Sequence, residues 1–207
     1  MIEIPSSVSL ISQGAFEGCA SLTNVISPSS VEKIGFSAFS RCTSLKEILL
    51  QSPIKEIEES TSNECESLTK ISIPSSVTKI DKSAFIKCIN LVQIEMPPLL
   101  KEICESCFNG CTSLAQIHIP QTVTSIGIWA FNECIAITKI SLKDSISMIG
   151  ESLFSKCKSL TKIELPPSIT EIRKFAFSEC SSLTRFIIPS SVITIGIINL
   201  HSSCVQN

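Results

Sequence analysis

Leu68-Thr69-Lys70-Ile71-Ser72-Ile73-Pro74-Ser75-Ser76-Val77-Thr78-Lys79-Ile80-Asp81-Lys82-Ser83-Ala84-Phe85-Ile86-Lys87-Cys88-Ile89-Asn90 is one copy of a unit that recurs along the chain. Twenty-three residues on, Leu91, Ile94, Met96, Leu100, Ile103, Phe108 and Cys111 take the slots of Leu68, Ile71, Ile73, Val77, Ile80, Phe85 and Cys88. Cysteines stand at Cys19, Cys42, Cys65, Cys88, Cys111, Cys134, Cys157 and Cys180. Three residues before each stands Phe16, Phe39, Phe85, Phe108, Phe131, Phe154 or Phe177, with Ser62 in the one broken place. Ile11, Ile34, Ile57, Ile80, Ile103, Ile126, Ile149, Ile172 and Ile195 form an unbroken file. Fixed self-similarity at this period predicts a solenoid. A unit this short cannot bury its apolar face alone, so the coils must stack.

Within the unit, Ile71 and Ile73 alternate with Lys70 and Ser72, which predicts a short strand with one face inward. Pro74-Ser75-Ser76 turns the chain. Val77 and Ile80 are three apart, so an irregular strand and a helical turn both fit there. Ala84 to Cys88 is expected to form a short helical or 3-10 turn that inserts Phe85 and Cys88 into the core. Parallel pairing of successive strands at ~4.8 Å makes nine coils a rod of about 40 Å.

The L-x-x-L-x-L core of leucine-rich repeats matches Leu68-x-x-Ile71-x-Ile73. With the A-F-x-x-C-x-S-L-T and I-P-x-S-V-T-x-I-G stretches, the chain resembles the BspA-like subclass, known from bacterial surface proteins and from trichomonad and amoebic parasites. The resemblance implies an α/β repeat fold, mostly β. It implies a leucine-rich-repeat solenoid of about nine coils with a parallel concave sheet. The expected organisation is one domain over 1–207, with eight full repeats at 4–187 and a partial C-terminal repeat at 188–207. It implies protein binding, in some members adhesion to host matrix proteins, and supplies no catalytic residues.

Composition narrows the function. With 43% hydrophobic and 17% charged residues, a disordered chain is excluded. Seventeen Lys and Arg against nineteen Asp and Glu leave no excess of basic charge for nucleic acid. No apolar run approaches the ~20 residues of a spanning helix. Met1-Ile2-Glu3-Ile4-Pro5 has no basic segment followed by an apolar one, so no secretory signal is expected. That favours the inside of the cell, with a peripheral cell-surface location as the alternative.

The cysteines read as a file of small buried hydrophobes rather than as disulfides or metal ligands, because each coil offers the same Cys at the same depth. Cys104-x-x-Cys107, with Cys111 and His118 nearby, resembles half a zinc site. Yet Cys104 and Cys107 occupy the Gly and Ala slots of the repeat, and His118 falls in an outward strand slot, so no metal and no cofactor are expected. Catalysis is not expected either. There are two histidines, His118 and His201, two aspartates, Asp81 and Asp144, and no glycine-rich phosphate loop. A thiol- or metal-dependent enzyme built on Cys111 and His118 is the alternative from that class.

A partner, identified only as another protein, is expected on the outward strand positions. One column is Asn24, Glu47, Lys70, Gln93, Gln116, Lys139, Lys162 and Arg185, basic from Lys139 onward. The other is Glu3, Ile26, Leu49, Ser72, Glu95, His118, Ser141, Glu164 and Ile187. The candidate contacts are Lys70, Gln93, Glu95, Gln116, His118, Lys139, Lys162 and Arg185. Trp129 and Phe175 join them, in a slot held elsewhere by Ser37, Ser60, Ser83, Ser106 and Ser152, and so expected to face water. Phe36 and Ile128 precede that slot.

The third copy lacks both Ala and Phe and carries Glu56, Glu58, Glu59, Glu64 and Glu66, which predicts a cavity, a shifted turn or a weak coil, with an acidic or calcium site as the alternative. At the start, Ile2-Glu3-Ile4-Pro5 enters mid-strand with no polar cap, so self-association through the first coil is expected as an option. At the other end Asn199, Leu200, His201 and Cys204 read as a modest cap.

Overall fold

The computed structural model describes residues 1–198; the expected C-terminal cap at Asn199, Leu200, His201 and Cys204 lies outside the described residues. The chain coils about eight times and begins a ninth turn. Each coil contributes two short strands, and like strands from successive coils stack in files. The first file holds Ile2–Glu3, Asn24–Ser27, Glu47–Leu50, Lys70–Ser72, Gln93–Ile94, Gln116–Ile117, Lys139–Ser141 and Lys162–Glu164. The second holds Leu10–Ile11, Lys33–Ile34, Glu56–Ile57, Lys79–Ile80, Glu102–Ile103, Ser125–Ile126, Met148–Ile149, Glu171–Ile172 and Thr194–Ile195. The Val77–Ile80 segment, open between two conformations from its spacing, therefore ends in a strand.

All pairing is parallel and in repeat register: Ile48 lies against Ile71, Ile103 against Ile126, and Ile140 against Ile163. Like side chains then fall in line. Phe16 stacks on Phe39, and Phe85, Phe108, Phe131, Phe154 and Phe177 stack in series with centroids 5.4 to 5.8 Å apart. Ser62 stands fully buried in the gap between Phe39 and Phe85.

The first file is not one continuous sheet. Strand pairing runs from Ile2–Glu3 to Lys70–Ser72 and stops. Gln93–Ile94 and Gln116–Ile117 pair as an island, and Lys139–Ser141 pairs with Lys162–Glu164, which a single bridge joins to Arg185.

The expected helical turns are absent: no helix occurs among the described residues. The Ala-Phe segment is instead a chain of β-turns. The amides of Ala84, Ile86 and Cys88 donate three residues back, to Asp81, Ser83 and Phe85. The alternating amides of Ser83, Phe85 and Lys87 donate to Glu105, Cys107 and Asn109 of the next coil. Half the amides are thus committed between coils, which a helix cannot allow. Ser83 and Lys87 adopt φ of 54° and 55°, and the same two slots are left-handed along the chain, with Gly14, Gly18 and Gly110 at some of them.

Candidate protein-binding face

The outward side chains of the first file emerge from strands whose other face is locked in the core. Gln93, Glu95, Gln116, His118 and Lys139 are exposed, and together with Ser141 they line an open cleft of about 500 Å³. The cleft lies where pairing fails between Gln116–Ile117 and Lys139–Ser141. Its floor includes Ile117, which is half-buried, whereas Val25, Ile48, Ile71, Ile94, Ile140 and Ile163 of the same core column are no more than 6% exposed. Lys162 and Arg185 line a second hollow of about 410 Å³ with Ile163, Leu165, Ile187 and Pro189. Lys70 lies outside both hollows, paired with Glu47 at 3.2 Å.

The basic end of the face carries less free charge than its column suggests. Lys162 pairs with Glu164 at 2.6 Å. The hydrogen-bonded Lys162 ammonium holds the Glu164 carboxyl below the usual carboxylate range, and Lys139 adds a weaker pull. Lys139 and Arg185 themselves make no ion pair within 4 Å among the described residues.

Trp129 and Phe175 line neither hollow. Their slot is not uniformly wet, as their serine counterparts suggested: Ser106 and Ser152 are buried, Phe175 is half-buried, and Trp129 is 37% exposed. The backbone of this slot is left-handed, with φ of 55° at Trp129 and 60° at Phe175, as it is at Ser106 and Ser152. Phe36, in the preceding slot, is the more exposed at 46%.

The thiols are built into the frame. Cys42, Cys65, Cys88, Cys111, Cys134, Cys157 and Cys180 each point Sγ at the carbonyl oxygen of Phe16, Phe39, Ser62, Phe85, Phe108, Phe131 and Phe154, at 3.0 to 3.3 Å. Burial pushes the Cys65 and Cys111 thiols up to about 12 and Cys42 to about 11. A thiolate nucleophile is disfavoured there. Cys111 and His118 do not meet, since the thiol is in the core and the imidazole on the first-file face.

Cys104 and Cys107 do not converge with His118. Cys104 sits beside Asp81 on the second-file side, and burial, then the Asp81 charge, push its thiol up to about 11. The acidic group that does gather is Glu56, Glu58 and Asp81, whose carboxylate oxygens lie within 4.8 Å of one another. Lys33 reaches Glu58 at 3.2 Å, and Lys79 reaches Asp81 at 2.9 Å. Burial raises the Asp81 carboxyl, but Lys79 and the Lys82 amide outweigh it and hold it below the ordinary range.

Glu64 bridges Arg41 and Lys87 of the flanking coils at 3.4 and 2.9 Å. Its turn is not shifted: Ser60 and Glu64 keep φ of 55° and 56°.

A parallel β-solenoid whose interior is filled by repeating files of Ile, Leu, Phe and Cys defines a leucine-rich-repeat protein. The chain belongs to the BspA type leucine rich repeat region family, whose profile matches residues 1–115 and 78–204. Proteins of this kind are interaction modules and generally non-catalytic. No curated protein matches the sequence. Among solved structures, the T. pallidum leucine rich repeat protein is similar at 27% identity and TM-score 0.77, covering 84% of this chain and 82% of that one. A leucine rich cell surface protein from Faecalibacterium prausnitzii is similar at 25% identity and TM-score 0.56, covering 94% and 86%. The pneumococcal vaccine antigen PcpA, at 20% identity and TM-score 0.58 over 94% of this chain and 57% of that one, shares the fold. No helix among the described residues is long and apolar enough to cross a membrane.

Proposed function

We propose that the chain is a non-catalytic protein-binding scaffold, and that the first-file face receives the partner. The observation that carries this is the cleft itself: Gln93, Glu95, Gln116, His118 and Lys139, from three successive coils, line one opening on a stacked frame. A rigid repeat surface with freely chosen outward side chains is suited to recognition. Lys70, Lys162 and Arg185 extend the contact surface along the axis, and Trp129 and Phe175 form a separate contact on the turn side. The test is a pull-down from cell extract with the chain and with a variant reversed in charge at Lys139, Lys162 and Arg185. Loss of specific partners in the reversed variant supports the reading; an unchanged partner set refutes it.

The protonated, hydrogen-bonded thiol file suits a reducing compartment, so we place the scaffold inside the cell. The second reading is a cell-surface adhesin, supported by the similarity to the F. prausnitzii surface protein. Surface labelling of intact cells separates the two: labelled chain favours the adhesin, and recovery confined to the cytosol favours the scaffold. Self-association through the first coil is a further proposal. Ile2 and Leu10 are exposed there beside a hollow of about 310 Å³ that Phe16 helps to line. A concentration-dependent mass in sedimentation that Leu10→Glu abolishes supports it; a monomer at every concentration refutes it.

A further inference from the structure

We infer that the cleft between Gln116–Ile117 and Lys139–Ser141 takes an extended acidic segment of the partner protein, anchored by one apolar side chain seated on Ile117. The inference rests on the reading of the first-file face as the binding face and adds the chemistry of what binds. Three observations carry it. First, the core shows through the sheet at this coil: within its column Ile117 is half-buried, where Ile94 and Ile140 on either side are covered. An apolar patch inside a polar rim suits a single apolar anchor.

Second, the rim carries the exposed carboxamides of Gln93 and Gln116. A primary amide offers both donors and an acceptor, which matches the alternating N–H and C=O groups of an extended main chain. Third, the charge on this face is polarised along the axis. Glu95 lies toward one end of the cleft, with His118 between, and Lys139 at the other. Beyond Lys139, Lys162 is satisfied by Glu164, and Arg185 is again without an ion pair among the described residues. An acidic segment is therefore attracted toward Lys139 and Arg185 and repelled at Glu95.

The spacing gives the pattern. Coils stack at ~4.8 Å and an extended peptide advances ~3.3 Å per residue. Lys139 is one coil from the anchor point, and Arg185 two coils further. The segment then reads as an apolar residue, an acid one or two positions along, and a second acid about three positions beyond.

The experiment is selection of random peptides displayed on phage against the full chain, followed by affinity measurement on the enriched peptides. The expected result is enrichment of an apolar residue flanked on one side by Asp or Glu at that spacing. Affinity should fall about tenfold for Lys139→Glu, weaken with salt, and hold for Lys82→Glu, an exposed lysine away from the face. Filling the cleft with Gln116→Trp should abolish binding while leaving the melting temperature in place. Failure to enrich, enriched peptides without acids, or indifference to Lys139→Glu overturns the inference. If pull-down partners depend on Lys139, Lys162 and Arg185 but carry no such segment, the face reading stands and this inference falls. If enriched peptides are lost on Trp129→Ala instead, both fall.

Discussion

Ser62→Phe tests the physical account of the stack at its weakest coil. Ser62 sits in a slot that holds a ring in the flanking coils, is fully buried, and leaves its hydroxyl without a hydrogen-bond partner. The backbone around it has not adjusted. Its amide donates to the Ala84 carbonyl at 2.9 Å, the Phe39 amide donates to Thr61 at 2.8 Å, and Cys88 Sγ points at its carbonyl at 3.2 Å. A ring placed there extends the file from Phe39 to Phe85. Restoring a buried Phe is worth roughly 3–5 kcal/mol, the reverse of deleting one. Two stacking contacts add about 0.5–1.5 kcal/mol each. Against this, Thr61 fills the neighbouring Ala slot, buried and bonded to the Glu58 carbonyl at 2.6 Å, and overpacking on it costs about 1–3 kcal/mol. The expected net is a gain of about 4 kcal/mol, which at this chain length raises the melting temperature by about 8–16 °C. Ser62→Ala, which only removes the orphaned hydroxyl, should gain about 1 kcal/mol. Thermal unfolding followed by circular dichroism reads both. A Ser62→Phe protein that melts below the parent, with Thr61→Ala giving no rescue, would show that the interior has closed around the serine and that the file is not a simple stack of interchangeable rings.

Two glycines in one repeat slot should respond oppositely. A Cβ on Gly127 would stand 2.6 Å from the Cys104 carbonyl carbon, whereas one on Gly150 meets nothing nearer than 3.7 Å. Gly127→Ala should cost about 1–3 kcal/mol and Gly150→Ala should be neutral or gain up to about 1 kcal/mol in denaturant titrations. The thiol file predicts an alkaline limit. The folded state holds the protons of Cys42, Cys65 and Cys111 up to about 11, 12 and 12, so their stabilisation is complete below the ordinary value of 9.0 and is lost as pH rises through that range. Denaturation midpoints should be flat up to that value and fall above it, and a thiol reagent should label exposed Cys19 well before the buried cysteines. At Trp129 the left-handed φ of 55° reverses the usual ranking of small residues: Trp129→Gly should be more stable than Trp129→Ala by about 1 kcal/mol in denaturant titrations. The same pair of substitutions at Ile128, which is not left-handed, should rank the other way.

How much could be read beforehand follows from what a period encodes. The Phe, Ile and Cys files were legible because a stack of identical coils can be continuous only if the same slot meets the same slot. Spacing in the sequence then becomes contact in space, as the rings of Phe85, Phe108 and Phe131 show. The turn geometry was not legible. Ala84 to Cys88 has local spacing that suits a helix, and what excludes the helix is a partner coil taking every second amide, an interaction between residues twenty-two apart. Gly14, Gly18 and Gly110 marked the two left-handed slots, but Ser83, Lys87 and Trp129 hid them.

The candidate face divides in the same way. Which side chains point outward from the first file was determined by alternation along each strand, so Gln93, Gln116 and Lys139 were placed from the sequence by itself. That the pairing lapses between Gln116 and Lys139, that Ile117 is uncovered there, and that Lys162 is neutralised by Glu164 while Lys139 is not, only the tertiary structure decided. A repeat pattern specifies which slots are equivalent. Where those equivalents depart from one another is set by packing between unlike neighbours, and that depends on distances no linear spacing contains.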